Sequence, residues 1–112
     1  PASVFKSFGI QNATYTIKRN AWLTNKYTVT INSADVFAGE TPKFKVYYTN
    51  NGKKTALTTT IVKTTNNEDG TVTYGLKFRA PNAVGSFPLE IHYVNADGES
   101  DEFMTTTIKV RR

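Results

Sequence analysis

Strict alternation of apolar and polar side chains limits this chain more than any other feature. Val72, Tyr74, Leu76 and Phe78 alternate with Thr71, Thr73, Gly75 and Lys77. The same period of two runs through Tyr27, Val29 and Ile31, through Phe44, Val46 and Tyr48, and through Phe87, Leu89, Ile91 and Tyr93. Successive side chains of a strand point to opposite faces, so each run predicts a strand with one dry face and one wet face. No segment sustains apolar residues at helical spacing. The wet positions are largely threonine, which accounts for 18 of the 112 residues and whose branched Cβ suits a pleated surface.

Turn chemistry separates the runs. Asn50-Asn51-Gly52-Lys53 and Asn66-Asn67-Glu68-Asp69-Gly70 supply the positive φ that tight hairpins need, and Asp97-Gly98 marks a third turn. Between the first two turns a threonine-rich strand is expected over about Thr55 to Thr64, and a last strand over about Phe103 to Val110. Val4 to Ile10 and Thr14 to Arg19 also read as extended. Dryness on one side only favours two facing antiparallel sheets, so the expected fold is an all-β sandwich of about seven to eight strands. Residues 26–112 are assigned to the sandwich, and residues 1–25 to an N-terminal extended arm or edge strands.

From about residue 26 onward the chain resembles an immunoglobulin-like β-sandwich domain of the bacterial and phage type. The resemblance rests on Phe78-Arg79-Ala80-Pro81-Asn82-Ala83-Val84-Gly85-Ser86-Phe87-Pro88-Leu89, a strand, Ala-Pro, glycine and aromatic segment placed where such modules cross between sheets. Thr105-Thr106-Thr107-Ile108-Lys109-Val110 is similar to their final strand. Antibody-type domains join their sheets with a disulfide beside a core tryptophan. This chain has no cysteine, and its sole tryptophan, Trp22, precedes the first expected sandwich strand. The resemblance implies an immunoglobulin-like fold and carries no catalytic residues.

Several function classes find little support in the residues. The one histidine, His92, is expected on an exterior strand face beside Glu90, and none of the five serines sits in a strained nucleophile turn. The nine acids fall mostly in hairpin tips, which suits neither a paired-carboxylate cleft nor general acid–base work. No glycine-rich loop opens a helix to cradle phosphate. Asn95 to Glu102 is acidic but fits no calcium-loop register, and Asn12-Ala13-Thr14 matches a glycosylation pattern that chance would supply here. The expectation is a non-enzyme with neither cofactor nor bound metal.

Charge is uneven along the chain. Of the net +5, residues 1–34 hold Lys6, Lys18, Arg19 and Lys26 and no acid, while the remainder is nearly balanced. The bases are too scattered among aromatics for a nucleic-acid face. A basic leading third on a balanced body suggests a docking arm. Phe5, Phe8, Ile10, Tyr15 and Trp22 are its candidate apolar anchors, and Lys6, Lys18 and Arg19 its contacts to an acidic partner surface.

No stretch approaches the length of a membrane span, and Pro1 to Lys6 lacks the apolar core of a secretion signal. Pro1-Ala2 fits a chain trimmed of its initiator methionine, and the lack of cysteine suits synthesis in a reducing compartment. The expectation is a phage virion surface protein, a capsid decoration or tail-associated module that contacts other structural subunits, with a homo-oligomer also compatible. The alternative is a carbohydrate-binding or spacer module of a secreted bacterial protein, at the cell surface or outside it. A glycan would then stack on Trp22 and Tyr47.

Overall fold

The computed structural model describes residues 16–32, 43–94 and 103–112, together with the backbone of strand 5–10. These form β1 (Phe5–Ile10), β2 (Ile17–Lys18), β3 (Trp22–Asn32), β4 (Lys43–Asn50), β5 (Lys53–Leu57), β6 (Thr59–Asn66), β7 (Thr71–Arg79), β8 (Gly85–Val94) and β9 (Phe103–Arg111). Eight of them are five residues or longer, and there is no helix among the described residues. A four-stranded sheet runs β1-β3-β7-β6 and a five-stranded sheet runs β2-β9-β8-β4-β5. That is the order of an immunoglobulin-like sandwich, ABED facing GFC, with β5 as an added C′ strand. Every pairing is antiparallel except β2 with β9, where Ile17 lies opposite Val110 and Lys18 opposite Arg111.

Alternation places the core as the sequence predicts. Tyr27, Val29, Ile31, Val72, Tyr74, Leu76 and Phe78 face inward from one sheet. Phe44, Val46, Phe87, Leu89, Ile91, Tyr93, Ile108 and Val110 meet them from the other. Each fully buried side chain of this size contributes roughly 1.5–3 kcal/mol. Aromatic rings pack within each sheet and, through Phe44 and Tyr74, between the two. Tyr27 sits 5.4 Å from Phe78, and Phe44 lies 5.5 Å from Tyr74 and 5.8 Å from Tyr93 between ring centres. Burial pushes the Tyr27 hydroxyl up to about 12 and raises that of Tyr74, so both rings stay neutral.

Three expectations change. The stretch Thr55 to Thr64 is two strands. The chain leaves the five-stranded sheet after Leu57 and joins the four-stranded sheet at Thr59, whose hydroxyl donates to the Leu57 carbonyl at 2.7 Å. Next, β3 begins at Trp22, four residues before the expected start, and Leu23 is core. The register shifts between Thr24 and Tyr27, and Asn25 adopts φ +56° inside that bulge. Asn25 puts a polar residue at the inward phase between Leu23 and Tyr27, so alternation is unbroken only from Tyr27 onward. Finally, Ile17 is fully buried. Residues 17–25 are therefore built into the sandwich, and β1 is paired into it as an edge strand, the second of the two forms expected for the leading segment.

Two glycines are required by geometry. Gly75, in the middle of β7, faces the β3 bulge on one side and a shift between Ile61 and Lys63 of β6 on the other. A Cβ there would collide with the Asn25 amide. Gly85 opens β8 at φ +143°, which lets the chain turn from the buried Ala80-Pro81 segment so that Phe87 points inward.

Candidate functional site

The two outer sheet faces carry different side-chain clusters. On the four-stranded sheet, Trp22 lies opposite Arg79, and Thr24 lies opposite Lys77. Inward Leu23 and Phe78 fix Trp22, Lys77 and Arg79 outward, and Trp22 remains 59% exposed. The Lys77 ammonium lies 5.1 Å from the indole centre and the Arg79 guanidinium 5.7 Å. Arg79 Nε donates to the Asn20 carbonyl at 2.8 Å, which holds the guanidinium in place.

The turn that supplies this carbonyl is itself pinned. Asn20 adopts φ +65°, and its side-chain amide donates to Asn82 Oδ1 at 2.8 Å. Ala80 N–H donates to the Ala21 carbonyl at 2.8 Å, and Arg19 N–H to the Arg111 carbonyl at 2.7 Å. Residues 19–21 thus bridge the β7–β8 connection and the last strand. Trp and Arg on a rigid frame are what binding hot spots favour, because little freedom is lost on contact.

On the five-stranded sheet one outward cluster is internally paired. His92 Nε2 pairs with Glu90 Oε1 at 2.9 Å, and Lys54 Nζ donates to the same oxygen at 3.1 Å. Phe103 stacks on the imidazole at 4.7 Å, and Tyr47 meets it edge-on at 5.1 Å. His92 is thus half-buried between two rings, more enclosed than an exterior position predicts. Partial burial would raise the Glu90 carboxyl, but the bonds from His92 and Lys54 outweigh it and hold the group below the ordinary glutamate range.

A cleft of about 630 Å³ opens between β4 and β6 beyond the point where β5 ends. Its walls are chiefly apolar, from Phe44, Val46, Leu57, Ile61 and Val94. Among the described residues no cluster of three or more metal-ligating side chains occurs. The acidic stretch 95–102 and Asn12 lie outside the described residues.

Among the described residues, those expected to dock fall on β1 and on the β2–β3 segment. Phe5, Lys6, Phe8 and Ile10 fall on β1, the edge strand paired with β3, with Phe8 opposite Val29 and Ile10 opposite Tyr27. Tyr15 lies outside the described residues. Lys18, Arg19 and Trp22 are exposed at one end of the sandwich, where Arg111 and Arg112 join them. Trp22 and Tyr47 stand on opposite outer faces, so they do not form one stacking platform. Sequence reasoning missed Lys77 and Arg79, although alternation with inward Leu76 and Phe78 puts both outward. No known family, curated protein or solved structure matches the chain.

Proposed function

We propose that the chain is a non-enzymatic attachment module of the bacterial and phage immunoglobulin-like kind. On this reading it is a virion surface protein, a capsid decoration or tail-associated part, held to a structural subunit by its N-terminal side. The observation that carries the reading is the exposed set Lys18, Arg19 and Trp22, displayed on a frame whose alternate residues, Ile17 and Leu23, are locked in the core. On the opposite face Glu90, His92 and Lys54 are engaged with each other, which leaves these three a structural role. A sugar-stacking alternative loses its shared platform, because Tyr47 packs on His92 far from Trp22.

The test is sedimentation of particles assembled from the structural genes neighbouring its reading frame. The chain is expected to pellet with heads or tails, and the K18E/R19E/W22A variant to stay in the supernatant. A wild-type chain that stays in the supernatant with every particle overturns the reading.

A further inference from the structure

Among the described residues, one end of the sandwich carries basic side chains and no acid. The end that bears Trp22 also bears Lys18, Arg19, Lys77, Arg79, Arg111 and Arg112, brought together by the pairings of β2 with β9 and of β3 with β7. No described acid lies there. Glu68 and Asp69 sit in the β6–β7 hairpin at the far end, and Glu90 is engaged on the five-stranded face. The other six acids occur in 33–42 and 95–102. The molecule is 41 Å long, several times the screening length of about 8 Å at physiological salt. Each end therefore acts on a partner independently of the other.

We infer that the Trp22 end is a docking surface for an acidic polypeptide, with Trp22, Lys77 and Arg79 as its anchor; the inference rests on the attachment reading above. Lys77 and Arg79 are held beside the indole with no described carboxylate to neutralise them, so a partner's carboxylates complete the cluster while its apolar atoms cover the ring. Trp and Arg are enriched at protein–protein anchors, and cationic rims speed encounter with acidic partners. A single aromatic gives no run of stacking platforms for single-stranded nucleic acid. Among the described residues the open sheet face also shows no convergent polar groups of a sugar pocket.

Trp22 is the sole tryptophan, so its emission reports on this surface directly. The experiment titrates the full chain with poly-L-glutamate at low salt and at physiological salt, with polygalacturonate and a DNA oligonucleotide as parallel probes. The expected result is a saturable shift in emission with poly-L-glutamate that weakens with salt. K77E/R79E should weaken it at least about tenfold, whereas K43E/K45E, the same charge change placed away from this end, should leave it near wild type. Thermal melts check that each variant folds, and K77Q/R79Q replaces the reversal if it does not.

Equal loss in both double variants reduces the effect to net charge and overturns the inference. Tighter binding of polygalacturonate or DNA, or no shift with any probe, also overturns it. Poly-L-glutamate binding by a chain that binds no particle sinks the virion reading and leaves this surface standing. Particle binding unaffected by K77E/R79E does the reverse.

Discussion

The two outer faces use similar residue types to opposite ends. On the five-stranded sheet an imidazole, two aromatic rings, a lysine and a carboxylate close upon one another. On the four-stranded sheet an indole and two cations stand together with no described acid to complete them. A charge paired within its own sheet supports the fold and offers a partner little. A charge held in place without a counter-ion contributes little to stability, and its electrostatic attraction remains available to a ligand. On the docking proposal stability and binding are divided between faces, and substitutions should separate them.

The largest effect is expected behind the open face, where the β3 bulge sets the register that brings Trp22 opposite Arg79. Gly75→Ala should cost about 1–3 kcal/mol in chemical denaturation, as the Asn25 amide is forced aside. Asn25→Gly in the same chain should recover most of that loss, since it removes the obstruction and glycine tolerates the positive φ. A Gly75→Ala protein as stable as wild type would mean that the bulge does not fix the register.

A smaller effect is expected on the closed face. The folded Glu90 pKa lies below its ordinary value, so its pairing supports the fold above the ordinary glutamate range and is lost as pH falls through the lowered folded value. Wild type should lose thermal stability from neutral pH toward about pH 3, and Glu90→Gln should lose less over that range. Asp69 is also held low, chiefly by the Thr71 hydroxyl at 2.5 Å, and contributes in the same sense. It is common to both proteins, so their difference isolates Glu90. At neutral pH Glu90→Gln should cost less than about 1 kcal/mol. Parallel pH profiles would show that the pairing is idle.

The smallest stability change belongs to Trp22→Ala, within about 0.5 kcal/mol by thermal melting, because the indole is mostly in water. A loss as large as a core truncation would place Trp22 with the frame and blur the contrast between faces.

Much of the frame is legible in the sequence, because one-sided burial writes itself as alternation. Val72 to Phe78 and Phe87 to Tyr93 show their inward faces without any structure. The sheet switch at Thr58 is not legible. Leu57-Thr58-Thr59 contains no glycine, proline or asparagine, and threonine is equally suited to either side of the break. The start of β3 is hidden for another reason, since the bulge at Asn25 breaks the alternation between Leu23 and Tyr27. Half the candidate site is legible, with Trp22 and the basic N-terminal residues visible as a local run. Lys77 and Arg79 join them only through the β3–β7 register, which local patterning does not encode.

That register also bears on how the chain reaches its native form. Thr30 and Thr73, whose hydroxyls meet at 2.8 Å, are 43 residues apart, and Arg79 reaches back 59 residues to Asn20. Long loops must close before such contacts reward the search, so topology assigns this domain to the slow, millisecond-to-second class of folders. The surface around Trp22 comes into being only when distant halves of the polypeptide meet, and a half-made chain has no such surface to offer.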